Sequence, residues 1–244
     1  MNTLGKSLSL AVLFVCGVAC APSTADVTKQ CVTNSDQATL YKGHWAVHPV
    51  PLAVEANDFA PSEVEALQAA IGTWNSFYSE SKGFQLFLSG SSSLSVVSSG
   101  GSRVTSATAC AQTLVTPSGF TNTIKIYKTR SNWSYGSEVM ALTSLCPVTV
   151  PSQQFRMFVA AVMEINFQNY FGAGQPVPDL QSIVTHELGH MLGLDHSCNG
   201  SGCNNAPADY TSAIMYPALG FVGIHGDVNR VLQTNDQERA NCLY

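Results

Sequence analysis

His186 and His190 stand four residues apart. On a helix that spacing puts both side chains on one face, a turn apart, with Cβ atoms about 5–6 Å from each other. Two imidazoles so placed can converge on one ion at zinc–nitrogen bonds of about 2.0–2.1 Å. A catalytic zinc also needs a third protein ligand and an open fourth position for water. His196 is the candidate third ligand, and Gly193 explains how it could arrive. On a continuing helix His196 would lie about 15 Å along the axis from His186, too far to share a metal. A glycine just past the last apolar helical residue lets the chain turn sharply at positive φ. Leu194-Asp195 can then lead His196 back beneath the ion. Glu187 points about 100° around the helix from the ligands, beside the metal rather than on it. A carboxylate there can take a proton from a water whose pKa the metal lowers to roughly 7, and pass it to a leaving amine.

These residues need a helix, and the sequence supplies one. Pro178-Asp179-Leu180 opens it with Asp179 as N-cap, and Leu180, Ile183, Val184, Leu188, Met191 and Leu192 form its buried stripe. An earlier helix is expected from Ser62, with Glu65 completing a capping box and Lys82-Gly83 as the stop. Its Val64, Leu67, Ile71, Trp74, Phe77 and Tyr78 recur at core spacing. Strands are expected at 45–54 (near an edge because of Pro49 and Pro51), 84–88, 124–128, 138–145 and 155–167. The Ser/Gly-rich stretch 89–102 reads as a surface loop. His44, His48 and His225 stand alone and read as surface or packing residues. Asp195, beside the third histidine, is a candidate for orienting local backbone.

The run His186-Glu187-Leu188-Gly189-His190-Met191-Leu192-Gly193-Leu194-Asp195-His196 joins four fixed residue types with a turn-forming glycine. It resembles the metzincins, and among them the matrixins, where serine follows the third histidine as Ser197 does here. Ala213-Ile214-Met215-Tyr216-Pro217 resembles the family's Met-turn, with Met215 beneath the zinc without ligating it and Tyr216 directly adjacent. The resemblance implies an α+β fold: a twisted five-stranded mixed sheet and two helices in an upper lobe (44–193), then a small lower lobe (194–244) with the Met-turn and a C-terminal helix starting at Asp236. It implies that 138–145 is the antiparallel edge strand along the cleft, with Met140, Ala141 and Leu142 facing extended protein or peptide substrate. It also implies that 217–229 walls a specificity pocket, whose Leu219, Phe221, Val222 and Ile224 suggest an apolar one. The chain departs from the vertebrate pattern. Cys31 lacks the Pro-Arg-Cys-Gly surroundings of a cysteine switch, and few residues precede the first strand, so a bacterial type without that propeptide is expected. A structural-zinc set before Asp179 is not recognisable, and calcium near Glu164-Ile165-Asn166-Phe167 has no further motif behind it.

Composition bounds the rest. A formal net charge of −5 leaves no basic stripe for phosphates, so nucleic acid is not expected as a partner. Lys6 followed by an apolar run at 8–15 and small residues reads as a secretory signal. Two routes remain open: cleavage after Ala25, or lipidation of Cys20 in Gly17-Val18-Ala19-Cys20, which resembles a lipoprotein box and would be the chain's only membrane tie. Residues 26–43 form an N-terminal extension before a catalytic domain at 44–244. Six cysteines remain in either case, and six allow 15 pairings. The pairing taken here is Cys198–Cys203, Cys110–Cys146 and Cys31–Cys242, without a CxxC pair or Cys/His cluster to suggest a second metal site. The expected protein is a monomeric secreted or cell-surface zinc endopeptidase. Its rival is a non-catalytic surface protein that keeps zinc for structure; Glu187 argues against the rival, since a structural site needs no base.

Overall fold

The computed structural model describes residues 30–33, 37, 41–89, 94–97, 123–149, 151 and 155–244. The signal segment, Cys20, Ala25 and Cys110 lie outside them.

The long apolar strand β6 (Met157–Asn166) is the axis of the upper lobe. Its side chains are buried on both faces from Phe158 onward, which is what a run of Phe, Val, Ala, Met and Ile permits. On one side it pairs antiparallel with β5 (Ala141–Val148). On the other it pairs parallel with β4 (Thr123–Thr129). β4 pairs with β2 (Leu52–Glu55), and β2 with β3 (Leu94–Val97), both in parallel. The two-residue β1 (His44–Trp45) continues β4's side of β6 at its N-terminal end. The result is a mixed sheet of five strands plus this short sixth, with α1 (Pro61–Lys82) and α2 (Leu180–Leu192) packed on each other. That is the α+β arrangement the resemblance implies.

Several boundaries differ from the sequence reading, each for a physical reason. The expected strand 45–54 breaks around Pro49 and Pro51 into β1 and β2, and β2 is interior rather than at an edge. β3 falls inside the expected Ser/Gly loop, where Leu94, Val96 and Val97 form a short apolar, β-branched run that the surrounding serines mask. Segment 84–88 is not a strand. Asn75 of α1 stands in for a neighbouring ladder: its Oδ1 accepts from the Leu86 and Phe87 N–H groups, and its Nδ2 donates to Phe87 O. Single contacts to Val50 complete the pairing. α1 starts at Pro61 rather than after Ser62, because proline at the first helical position gives up an N–H that would be unpaired anyway. Glu63, not Glu65, reaches back to the Ala60 N–H at 2.6 Å. β5 runs three residues later than expected at both ends, with a register shift at Pro147, a residue an edge strand tolerates.

One apolar core joins α1, the inner sheet face, α2 and the lower lobe. Leu67, Ile71, Trp74 and Tyr78 of α1 are fully buried in it or nearly so, and Trp74 Nε1 donates to Thr185 O on α2.

Beyond residue 193 regular structure is sparse: a 3-10 turn at Gly200–Cys203, the one-turn α3 (Ala208–Thr211), the hairpin β7–β8 (Phe221–Val222, His225–Gly226) and α4 (Thr234–Ala240). α4 begins at Thr234 with Gln233 as cap, so Asp236 is its third residue rather than its start. Two disulfides join described residues, Cys31–Cys242 between the chain ends and Cys198–Cys203 beside the third histidine, as paired in the sequence reading. Cys146 is disulfide-bonded too, and its expected partner Cys110 is outside the described residues. Among the described residues no helix is long and apolar enough to cross a membrane.

Candidate metal centre

α2 is tied down at both ends. Asp179 caps its start, its carboxylate accepting from Ser182 N at 2.9 Å and Ser182 Oγ at 2.6 Å, and Arg230 grips the same carboxylate. At the other end the last four helical carbonyls would lack intrahelical partners. Here each has one. Leu194 N donates to Gly189 O, and Gly193 N to His190 O. Trp45 Nε1 donates to Met191 O, and Tyr244 Oη to Leu192 O. Two of these donors lie at opposite ends of the chain.

Gly193 turns at φ +123, as the sequence reading required of a glycine. A second constraint was not foreseen. A Cβ on Gly193 would sit 1.9 Å from Gly43 O, because the chain before β1 crosses the bend and Lys42 N donates to Gly193 O. Past the bend, Leu194 bridges Tyr41 and the chain delivers His196. Asp195 orients local backbone as expected: its carboxylate accepts from His196 N at 2.9 Å and pairs with Lys42 Nζ at 2.5 Å.

The three histidines meet. Each offers one ring nitrogen, and these lie within 4.8 Å of one another. His186 Nδ1 donates to Ile214 O at 2.7 Å, and His190 Nδ1 donates to Leu194 O at 2.8 Å. A carbonyl oxygen can only accept, so both neutral rings keep their lone pairs on Nε2. Burial holds all three imidazoles below the usual histidine range, His196 at about 4, and around His190 the neighbouring His186 and His196 add to the effect of burial. Neutral, lone-pair-bearing rings are the ligand form a metal requires.

Glu187 is 6% exposed and points beside the triad. Burial pushes its carboxyl up to about 7, against the pull of the Thr143 hydroxyl, which donates to Oε2 at 2.6 Å. Thr143 comes from β5, and the sequence reading missed it. Its only signal there was a threonine between Ala141 and Leu145 on the inward side of a half-polar strand.

Met215 is fully buried beneath the helix. A Cβ on Gly189 would stand 2.2 Å from Met215 Sδ, so Gly189 is the notch that admits the methionine. The turn that holds Met215 depends on Asp236, a residue that the sequence reading assigns only to the start of the last helix. Its fully buried carboxylate accepts from Ile214 N at 2.8 Å, Met215 N at 3.1 Å and Gln233 N at 2.9 Å. Ser197 fastens the histidine turn to this structure: its N donates to Met215 O, and its Oγ donates to Tyr210 O. Buried Gln37 donates to Ser197 O at 2.8 Å.

The triad and Glu187 open onto a cleft of about 560 Å³, lined also by Met140, Ala141, Leu142, Tyr216, Pro217 and Leu219. Phe221, Val222 and Ile224, expected in the pocket wall, are outward-facing instead, Val222 at 77% exposed, and do not line the cleft. All three sit on the exposed β7–β8 hairpin, which Val177 N joins by donating to Ile224 O at 2.7 Å. His44 packs edge-on to Phe155 and Tyr244, His48 stacks on Phe84, and His225 is exposed; none joins the triad. Asn166, in the stretch read for calcium, has its amide engaged with Val139 O and Asn169 N, while Tyr135 Oη donates to Glu164.

Comparison with known proteins finds likeness over a short stretch of the chain. No family model matches the chain. Over 48 residues it is 42% identical to Metalloendoproteinase 1-MMP of Arabidopsis thaliana, a segment that is 20% of this chain and 10% of that protein. High choriolytic enzyme 1, a hatching enzyme zinc-protease from Oryzias latipes, aligns at a TM-score of 0.35 and 15% identity over 82% of this chain and 94% of that one, a likeness too low to bear on the site. Over a fifth of its length, then, the chain is similar to a plant metalloendoproteinase.

Proposed function

We propose that this chain is an exported zinc-dependent endopeptidase that hydrolyses peptide bonds in extended polypeptides, monomeric and with no nucleic-acid partner. The supporting observation is the meeting of His186, His190 and His196 beside a buried, proton-accepting Glu187 at the floor of an open cleft. The residues fit zinc. Three nitrogen donors suit it, the tautomers of His186 and His190 leave Nε2 free, and the cleft leaves one side open. Nitrogens on a tetrahedral ion stand about 3.3 Å apart, within the spread of the present triad. When bound there, zinc supplies Lewis-acid activation of water and of the substrate carbonyl.

The chain's own groups do the rest. Among the described residues β5 pairs with β6 alone, and an extended peptide can align along its other edge by main-chain hydrogen bonds. This reading is supported by Met140, Ala141 and Leu142 lining the same cleft as Tyr216, Pro217 and Leu219. Glu187 takes the proton of the attacking water through its free carboxylate oxygen and delivers it to the departing amine. Export rests on the signal-like segment and on the disulfides, which persist in oxidising compartments; whether Cys20 carries a lipid is read by mass spectrometry of the mature N-terminus.

The decisive assay measures cleavage of an unfolded protein by the zinc-loaded chain, by the same chain after chelation, and by Glu187→Gln. Chelation abolishes cleavage, and Glu187→Gln lowers it by about 100-fold or more while one zinc per chain is retained. Equal cleavage by wild type and Glu187→Gln sinks the proposal. One zinc per chain with no cleavage by either transfers the site to a structural role.

A further inference from the structure

We infer that Thr143 is a positioning residue for Glu187, fixing the carboxylate so that one oxygen faces the reacting water; the inference rests on the reading above. Thr143 and Glu187 come from different elements, β5 and α2, 44 residues apart, and meet at 2.6 Å between Oγ1 and Oε2. The same hydroxyl lies 3.3 Å from Glu187's own carbonyl oxygen. It has one proton to give, and the short contact takes it. One carboxylate oxygen is thereby anchored to the sheet, and Oε1 is left for proton transfer.

The backbone around Thr143 is set before the side chain acts. Thr143 pairs with Met163 in the β5–β6 ladder, and its neighbours on the same face, Ala141 and Leu145, pack against the main core. Its β-branched side chain has little rotational freedom. Glutamate has three side-chain torsions, and without the tether its carboxylate could swing within a cleft of this size. A misplacement of about 1 Å at a reacting group can cost on the order of 100-fold in rate. The threonine thus ties the base to the strand along which substrate would lie, so that substrate alignment and base position share one rigid element.

The test compares Thr143→Val, isosteric without the hydroxyl, with Thr143→Ser, which keeps it. Both are assayed as zinc-loaded full chains on the unfolded-protein substrate. Thr143→Val lowers kcat by about 10-fold or more while KM and the one-zinc stoichiometry stay near wild type, and Thr143→Ser recovers most of the loss. A kcat for Thr143→Val within about twofold of wild type, or a Thr143→Ser variant as slow as Thr143→Val, overturns the inference. Crystal structures of the two variants read the same point without turnover, so the result stands even if the endopeptidase reading fails. In Thr143→Val the Glu187 carboxylate leaves its place beside β5; in Thr143→Ser it stays. An unmoved carboxylate in Thr143→Val refutes the tether.

Discussion

The two sides of the cleft are held together by different means. The upper lobe is a sheet-and-helix structure whose backbone groups pair in ladders and whose side chains make one apolar core. The lower lobe has little regular structure, and there buried polar side chains take over backbone pairing. Asp236 holds the turn before Met215, Ser197 ties the histidine turn to Tyr210, Gln37 reaches Ser197, and Arg239 Nη2 donates to Asp195 O. The histidines of the triad come from both sides of this divide, His186 and His190 from the helix and His196 from the irregular chain. Replacing a core residue should therefore weaken the fold, whereas replacing a lower-lobe polar residue should weaken fold and metal site together.

Asp236→Ala tests that contrast most severely. It strands two buried N–H groups and a part-buried third, each worth about 1–3 kcal/mol, and the expected loss is on the order of 4–5 kcal/mol in urea unfolding. Zinc affinity should fall with it, because His186 Nδ1 bonds to Ile214 O in the same turn. Leu67→Ala, in a fully buried site of α1, should cost about 3 kcal/mol yet leave zinc affinity of the folded protein near wild type by calorimetric titration. A matching loss of affinity in both variants would erase the contrast. Gly193→Ala sits at the boundary. The new Cβ meets the Gly43 carbonyl at positive φ, so about 2 kcal/mol or more of strain is expected, with weaker zinc binding through displacement of His196. If affinity holds, the bend does not set the third ligand.

The smallest effect is a pH dependence of the metal-free protein. Burial depresses the three histidines in the fold, so they favour the folded state above pH 6.5, and this contribution is lost as pH falls from about 6.5 toward 4, where the unfolded chain binds protons that the fold does not. Glu187 works in the opposite direction: its folded carboxyl holds a proton up to about 7, so it disfavours the fold as pH rises from about 4.5 to 7. Burial also raises the Asp236 carboxyl, which acts with Glu187; three histidines oppose two carboxyls, and the chelated protein should melt at lower temperature at pH 4.5 than at pH 7. His196→Gln should shrink the difference, and an unchanged difference would assign the acid lability elsewhere.

The amino-acid sequence was most informative where function depends on short-range spacing. The helix face, its Asp179 cap, the glycine bend and the three histidines lie within 18 residues, and each obeys a local rule of helix geometry or capping. The core stripe of α1 and the central strand were equally readable, because apolar periodicity is a local signal. Reading failed where a residue's role is set by a distant partner. Ser62 and Glu65 satisfy a capping pattern, but in the folded chain Glu63 caps Ala60 two residues earlier, with Pro61 at the first helical position. Residues 84–88 look like a strand until Asn75 takes their backbone bonds. Phe221, Val222 and Ile224 read as pocket lining, yet they lie exposed on a hairpin that a distant segment, Val177, joins.

By itself, then, the sequence determined which side chains could bind a metal and that two of them share a helix face, since 3.6 residues per turn fixes that relation anywhere. Only tertiary structure decided that the third histidine reaches them, that the Thr143 hydroxyl meets the Glu187 carboxylate, and that a buried aspartate holds the Met215 turn. Those relations are hydrogen bonds and close packing between segments tens to hundreds of residues apart, and no local pattern encodes which distant group will occupy the other end.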